Sequence, residues 1–149
     1  GYYITPHIVR SINDSTSSQI EKHVIPIARK HFDPIVEGMQ MVIKEGTGRR
    51  AQIDSITIAG KTGTVQNPHG DDHSVFIAFA PVENPKIALI VYVENGVWGS
   101  RYAAPIAGLL IEKYLKGKIS DRKKPLEKEM FQGSLIHNTT SKVKETSNE

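Results

Sequence analysis

The sequence predicts an α+β fold in which a three-stranded antiparallel sheet packs with helices. Three strand-like runs, 55–66, 74–82 and 86–94, follow one another with turn-rich linkers, and short linkers between such runs are typical of antiparallel hairpins. Two segments with apolar residues at helical spacing, 34–45 and 101–116, flank these runs. Helices and sheet can then bury their apolar faces against each other, which is the α+β arrangement.

The N-terminal region precedes the first helix. Residues 2–12 are rich in β-branched and aromatic residues and are predicted to be extended, with Pro6 at a sheet edge or at the start of a strand. Residues 13–22 are polar and rich in Ser, which is typical of a loop.

The first helix is predicted over residues 34–45. Asp33 suits the N-cap, Pro34 the first helical position, and Gly46 the C-terminal cap. We expect Met41 to be in the core as well as the residues at helical spacing on one face, which are Ile35, Val36, Met39, Val42 and Ile43.

The second and third strand-like runs, VFIAFAPV and IALIVYV, are apolar at nearly every position. Such runs are typical of central strands that are covered on both faces. The elements visible in the sequence form an incomplete sandwich, so we expect something else to cover the second face.

The second helix is predicted over residues 101–116 and ends at Gly117. The residues expected on its buried face are Ala103, Ala107, Leu110, Ile111 and Tyr114. Beyond it, residues 118–149 lack a sustained period and are predicted to be a polar, weakly ordered tail with a short helix near 125–131. We therefore divide the chain into a domain portion, 1–117, and this tail.

Charge is unevenly distributed along the chain. Residues 1–111 carry 10 Lys/Arg and 10 Asp/Glu, whereas residues 112–149 carry 9 and 6 and supply the net charge of +3. No aromatic stacking pattern accompanies the basic tail, so no nucleic-acid partner is expected. The absence of Cys excludes thiol catalysis and thiolate metal sites. The longest apolar run has seven residues, far short of the roughly 20 of a membrane-spanning helix.

The sharpest chemical motif is Lys61-Thr62-Gly63-Thr64, on the first of the three strands. Thr62 and Thr64 project to the same side of an extended chain, so both hydroxyls can bind one carboxylate. Lys61 adds a positive charge that attracts that carboxylate. Gly63 lets a substrate approach the backbone, and the Thr64 N–H can form half of an oxyanion hole. We therefore predict that Lys61, Thr62 and Thr64 line one concave surface.

A phosphate-binding Walker A loop is excluded at this motif. That loop needs a Gly at position 55, where this chain has Ser55, and a helix where this sequence continues as a strand.

The other candidate residues have structural alternatives. The His69–His73 loop holds two His and two Asp, but so short a loop rarely lets four side chains converge on a metal, and we expect a solvated rim with His73 as its best site candidate. Trp98 and Tyr102 could hold a substrate or partner, but packing under the second helix is favoured. Arg49 and Arg50 are predicted to be surface charges.

Several longer motifs surround the Lys-Thr-Gly sequence. They are YYITPHIV near the start, GMxxVIxxGTGxxA at 38–51, AGKTGTxQ at 59–66, FIAFAPxxNPKIA at 76–88 and VENG at 93–96. Over residues 1–115 this pattern resembles the C-terminal part of the transpeptidase domain of class B penicillin-binding proteins, most closely the branch of the elongation machinery. Lys-Thr-Gly is itself one of the three motifs of penicillin-binding enzymes.

The resemblance implies a five-stranded antiparallel sheet with helices on both sides, of which this chain holds three strands and the C-terminal helix. It implies a peptidoglycan D,D-transpeptidase that acts by serine acyl transfer, without metal or organic cofactor. Lys61 and Thr64 would be catalytic, and Thr62, Gly63, Thr64 and His73 would bind substrate. The implied partners are stem peptides, β-lactams and a membrane glycosyltransferase. The parent protein would be anchored in the inner membrane, with this domain on the periplasmic side.

The family also uses a Ser-x-x-Lys nucleophile motif and a Ser-x-Asn motif. Ser120-x-x-Lys123 and Ser141-x-x-Lys144 fit the first, but they lie in the charged tail without an apolar helix to bury the pair and lower the Lys pKa. Ser11-x-Asn13 fits the second but follows the opening strand and is expected to be a turn. We therefore expect the nucleophile to lie outside this chain and the chain alone to be inactive. The alternative is a non-catalytic α+β binding module or a penicillin-sensing module.

Overall fold

The computed structural model describes residues 1–6, 8 and 21–135. The chain separates into two compact units, Gly1–Glu37 and Gly38–Glu149. Of the loop predicted over residues 13–22, residues 13–20 lie outside the described residues, as do Ser11-x-Asn13 and Ser141-x-x-Lys144, whereas Lys22 is the first residue of a strand and not part of a loop. The division at residue 117 stays a prediction.

The first unit contains a small antiparallel ladder. Strand β1 (Tyr2–Ile4) pairs with strand β2 (Lys22–Val24), so part of the predicted extended segment is a strand. The Tyr3 and His23 rings stack with their centroids 4.7 Å apart. These cross-strand contacts hold the two short strands together.

Helix α1 spans Asp33–Lys44, one residue earlier at each end than predicted. The Gly46 N–H donates to the Met41 carbonyl at 3.1 Å, as a C-terminal cap does. Ile43 is buried, but Ile35 is 61% exposed and Met41 is 46% exposed, so placing these two in the core was wrong. Met41 lies two positions from Ile43, which is about 200° around the helix axis, and therefore points away from the core.

The sheet of the second unit is the predicted antiparallel meander. Strands β3 (Ala59–Val65), β4 (His73–Ala80) and β5 (Ile87–Val93) lie in the order β3-β4-β5, with both pairs antiparallel. The first strand begins four residues later than predicted, because Ile53 and Ile56 form a separate bridge around a turn at Ser55, whose φ is 63°.

Helix α2 (Ala103–Lys116) covers one face of this sheet and ends, as predicted, at Gly117 with a left-handed φ of 74°. The buried residues that join helix and strands include Phe76, Ala78, Ala80, Val91, Ala103, Ala104, Ala107 and Ile111. This α+β architecture confirms the predicted fold class.

One detail of the predicted packing was wrong, namely the face that α2 buries. Leu110 and Tyr114 of α2 are 51% and 64% exposed, whereas Glu112 is buried at 1%. The second sheet face is not covered by the described residues, since Ile77 and Ile90 remain 44% and 66% exposed. The residue types alone did not show which faces of α2 and of the sheet would pack against other residues.

The predicted short helix is present in the region after α2. A 3-10 turn at Asp121–Lys123 leads into helix α3 (Lys124–Gln132), one residue longer at each end than predicted. The guanidinium of Arg50 contacts both carboxylate oxygens of Glu129, with Nη2 at 2.7 and 2.6 Å, and its Nη1 donates to the Arg101 carbonyl at 3.0 Å. Arg50 is therefore a link to α3 and not simply a surface charge.

Of the helices in the described ranges, none has both the length and the apolar character that crossing a bilayer requires.

Candidate active site

The Lys-Thr-Gly-Thr motif lies on β3, an edge strand of the described sheet. Thr62 pairs with Phe76 and Thr64 with Ser74, whereas Lys61 pairs with Ile77. Directly paired residues of antiparallel strands share a face. Thr62 and Thr64 therefore project to the face that α2 covers, and Lys61 leaves the strand from the other face.

The three side chains nevertheless border one cleft of about 440 Å³. The edge position of β3 makes this possible, because no further described strand lies outside it to separate the two faces. The residues that line the cleft are Thr47, Lys61, Thr62, Gly63, Thr64, Trp98, Gly99 and Ser100. The predicted concave surface is present, while the roles of its residues stay predictions.

Hydrogen bonds order the polar groups of the cleft. The hydroxyls of Thr47 and Thr62 lie 2.6 Å apart (Oγ1 to Oγ1), and either can be the donor. Lys61 Nζ donates to the Thr62 carbonyl at 2.8 Å and has no acidic partner among the described residues. The cleft therefore carries a positive charge that no described carboxylate neutralises. Sequence reasoning included Thr47 only within a family motif and gave it no role.

The turn at residues 98–100 packs closely against the sheet. A Cβ on Gly99 would lie 2.5 Å from the Val75 carbonyl oxygen and 2.8 Å from that of Gly63, so only glycine permits this approach. In contrast, a Cβ on Gly63 would meet only the Val75 side chain, at 3.5 Å, which is an ordinary contact. Packing among the described residues therefore explains why residue 99 is glycine, but it does not explain why residue 63 is glycine.

The buried side chain of Ser74 holds this turn in place. Its hydroxyl donates to the Trp98 carbonyl at 2.8 Å and accepts the N–H of Ala103, at the start of α2, at 3.1 Å. It therefore satisfies one of the N–H groups that a helix start leaves unpaired. Sequence reasoning missed Ser74, because only the fold brings it to residues that follow it by 24 and 29 positions.

Backbone strain adjoins the same turn. Val97 has a φ of 64°, which is unusual for a β-branched residue, and its N–H donates to the Asp72 carbonyl at 2.7 Å. Residues held in such conformations cluster at functional sites. Trp98 follows directly and is 64% exposed at the cleft, so the favoured packing role for its indole was wrong. Tyr102 is partly buried immediately before α2.

His73 lies at the end of the β3–β4 ladder, opposite Val65. Its Nδ1 accepts the N–H of Asn95 at 3.0 Å, and its ring lies 5.3 Å from that of Tyr92. It does not line the cleft, and its role in substrate binding stays a prediction.

The loop before His73 is ordered by its own hydrogen bonds. The Asn67 N–H donates to Asp72 Oδ1 at 3.1 Å, and the His69 N–H donates to Asn67 Oδ1 at 3.0 Å. Across residues 1–6, 8 and 21–135, no three His, Asp or Glu side chains lie close enough together to hold a metal ion.

The environment of the Lys123 side chain differs from the exposed tail that the sequence predicted. Its Nζ is buried, and desolvation lowers the pKa of this amine although nearby Glu112 opposes the shift. The tail therefore does bury the lysine of the Ser120-x-x-Lys123 spacing. Yet Lys123 Nζ has no hydrogen-bond partner among the described residues, so Ser120 and Lys123 do not form a hydrogen-bonded nucleophile–base pair.

Comparison with known proteins gives one consistent family. The family model described as the penicillin binding protein transpeptidase domain matches residues 1–112. Peptidoglycan D,D-transpeptidase PbpA of Mycobacterium tuberculosis is 34% identical over 133 residues, which cover 79% of this chain and 27% of the relative. The chain spans about a quarter of the length of the curated relatives it matches.

Solved structures that resemble this chain come from the same family. The crystal structure of Pseudomonas aeruginosa PBP2 in complex with WCK 5153 has a TM-score of 0.63 at 35% identity, over 78% of this chain and 28% of that one. Penicillin-binding protein A from M. tuberculosis, solved as an imipenem acyl-enzyme complex, has a TM-score of 0.56 at 33% identity, over 64% of this chain and 21% of that one.

Proposed function

The chain belongs to the family of penicillin-binding-protein transpeptidase domains, and on that basis we propose that it forms the carboxylate-binding wall of a peptidoglycan D,D-transpeptidase. The membership confirms the resemblance drawn from the motifs. The observation that carries the proposal is the cleft itself, where Lys61, without an acidic partner, lies beside the hydroxyl-bearing Thr62 and Thr64. This arrangement suits an anionic group at the end of a peptide.

The proposed reaction is acyl transfer through a serine ester. A serine oxygen attacks the carbonyl of the penultimate D-Ala of a stem peptide, the bond to the terminal D-Ala nitrogen breaks, and D-Ala leaves with a proton. The amine of a second stem peptide then attacks the ester, a new amide forms, and the serine recovers its proton. We place that serine and its base outside these 149 residues, since Ser120 and Lys123 are not a hydrogen-bonded pair and the sequence around Ser141 and Lys144 is charged, without an apolar helix.

The residues of this chain bind and orient the substrate. The Lys61 ammonium attracts the terminal carboxylate, and the hydroxyls of Thr62 and Thr64 donate to it, because charge-assisted hydrogen bonds are the stronger ones. Gly63 has no side chain, so the substrate can lie next to the strand, and no described residue packs tightly against this position. The Thr64 N–H stabilises the oxyanion that develops during attack. His73 supports the far end of this wall through its bond to the Asn95 N–H.

The ligands and location follow from the same proposal. A β-lactam that mimics the terminal dipeptide would acylate the same serine, and the imipenem acyl-enzyme of a structural neighbour supports this. The parent protein would act on the periplasmic side of the inner membrane, with a membrane glycosyltransferase as its partner. No metal or organic cofactor enters the proposed chemistry.

The test is release of D-alanine by the longer protein that contains this chain. We expect it to release D-alanine from a peptide ending in D-Ala-D-Ala and to lose that activity after treatment with imipenem. Acylation by penicillin without any D-alanine release would favour the sensing module instead. Neither acylation nor release would leave a binding module and contradict the proposal.

A further inference from the structure

A second polar cavity lies between α2, the 3-10 turn at Arg49–Ala51 and the 3-10 turn at Asp121–Lys123. It has a volume of about 320 Å³ and shares no lining residue with the Lys61 cleft. Its lining side chains are mainly charged, with five cations against two carboxylates. The members used below are Arg49, Asp54, Glu112, Lys116, Arg122 and Lys123.

Some of these charges already neutralise one another. Arg122 Nη1 contacts Asp54 Oδ2 at 2.6 Å. Lys116 Nζ donates to the Asp54 carbonyl at 3.0 Å and lies 3.5 Å from Glu112 Oε1. Both carboxylates of the cavity are thereby engaged, and Arg50 is paired with Glu129, so Arg49 and Lys123 remain as an excess of positive charge.

One oxygen of Glu112 and two cations are left without a direct partner among the described residues. Glu112 is 1% exposed, and its Oε2 accepts no hydrogen bond. Lys123 Nζ is also buried and donates no hydrogen bond, and the guanidinium of Arg49 makes no ion pair. A buried polar atom without a partner is unfavourable, so a ligand that satisfies Glu112 Oε2 and Lys123 Nζ would be favoured, and the exposed Arg49 would add its attraction for an anion.

We propose that this cavity is a binding site for hydrogenphosphate. Two kinds of atom are required of the ligand: anionic oxygens for Lys123 and Arg49, and a hydrogen-bond donor for Glu112 Oε2. Hydrogenphosphate has both, because it keeps one P–OH while the other oxygens share the negative charge. Sulfate has similar size and charge but no proton near neutral pH, so it would leave Glu112 facing an anionic oxygen.

Glu112 therefore sets the selectivity of the site. A site built to accept a ligand's hydroxyl hydrogen rejects the analogue that lacks it, because the buried acceptor stays unpaired. The Glu112→Gln variant removes this discrimination, since an amide can donate to an unprotonated oxygen. The inference concerns residues outside the Lys61 cleft and does not depend on the proposed function.

The experiment is isothermal titration calorimetry of the 149-residue chain with inorganic phosphate and with sulfate at about pH 8. We expect saturable phosphate binding at least about tenfold tighter than sulfate binding, which corresponds to about 1.4 kcal/mol. Glu112→Gln should bring the two affinities within about twofold. Methyl phosphate, a monoester whose second pKa is near 6, has no hydroxyl hydrogen at this pH and should bind as poorly as sulfate.

Variants of the cations complete the test. Lys123→Met should weaken phosphate binding at least about tenfold, whereas Lys118→Met, which removes a charge outside the cavity, should leave it within about twofold. Because buried variants can fail to fold, Arg49→Met serves as an exposed alternative that should weaken phosphate binding with an unchanged thermal midpoint. Equal binding of phosphate and sulfate by the unmodified chain, or no saturable binding, would overturn the proposal. Equal losses in Arg49→Met and Lys118→Met would do the same.

Discussion

Thr47 and Thr62 share a hydrogen bond between their side-chain hydroxyls, with the two Oγ1 atoms 2.6 Å apart although 15 positions separate them in the sequence. Thr47 lies in the turn that follows α1, and Thr62 lies in the middle of the motif strand. A hydroxyl can donate one hydrogen and accept others. If Thr47 donates to Thr62, the Thr62 hydrogen is free for a substrate carboxylate, which makes Thr47 a positioning residue in the proposed mechanism.

The first prediction concerns this pair. Thr47→Val in the longer protein should slow acylation by penicillin about threefold to tenfold, because one net hydrogen bond contributes roughly 0.5–1.5 kcal/mol. Thr47→Ser keeps the hydroxyl and should stay close to the unmodified rate. The measurement is the acylation rate at matched folded fraction. Equal rates for Thr47→Val and Thr47→Ser would show that the hydroxyl does not act on Thr62.

The second prediction concerns Lys61. Lys61→Ala should slow acylation about tenfold to a hundredfold, since a carboxylate that loses a charge-assisted partner loses about 1.5–3 kcal/mol. Its thermal midpoint should hardly change, because truncating an exposed side chain usually alters stability by less than about 0.5 kcal/mol. Lys86→Ala, which removes an exposed charge away from the cleft, is the matched control. Acylation of Lys61→Ala within twofold of the control would remove Lys61 from the carboxylate site.

The third prediction concerns the chain by itself. The 149 residues should form no covalent adduct with a fluorescent penicillin, because Lys123 Nζ does not hydrogen-bond to Ser120 and no described pair provides an activated serine. Intact-mass spectrometry after incubation measures this directly. An adduct mapped to Ser120 or Ser141 would place the nucleophile in this chain and contradict our assignment.

The fourth prediction compares two helical glycines. A Cβ on Gly38 in α1 would meet nothing within 4 Å, so Gly38→Ala should raise the free energy of unfolding by about 0.5–1 kcal/mol. A Cβ on Gly108 in α2 would lie 2.7 Å from the Cα and carbonyl oxygen of Ala51, so Gly108→Ala should lower that free energy by about 1–3 kcal/mol. Urea denaturation of both variants gives the two values. Stabilisation by both substitutions would mean that α2 does not pack this closely on the turn at Ala51.

The fifth prediction concerns pH and Lys123. Burial lowers the pKa of Lys123 below its ordinary 10.5, against the attraction of Glu112 and Asp54 and with the repulsion of Lys116 and Arg122. Between the lowered value and 10.5 the unfolded chain binds more protons at this site, so stability rises with pH in that window. The unfolding free energy of the unmodified chain minus that of Lys123→Met should therefore rise as the pH approaches 10.5. A difference that falls over this range would show that the carboxylates outweigh burial.

Local sequence signals were sufficient for the elements and for the motif. Gly46 and Gly117 marked the helix ends because a helix terminates where the backbone needs a glycine conformation or a cap. Short turn-rich linkers predicted the antiparallel order of β3, β4 and β5. The alternation of an extended strand also put Thr62 and Thr64 on one face, and the register confirms this.

Only the tertiary structure decided how those elements meet. It placed Trp98 at the cleft, joined Arg50 to Glu129, buried Glu112 within a helix that otherwise buries apolar residues, and enclosed the amine of Lys123. Each of these outcomes depends on residues that are far apart in the chain, and neither periodicity nor propensity contains the identity of such a neighbour. The sequence therefore determined which residues carry the carboxylate-binding motif, and packing across the edge of β3 decided that Lys61 and the two threonines, which leave the strand on opposite faces, border one cleft.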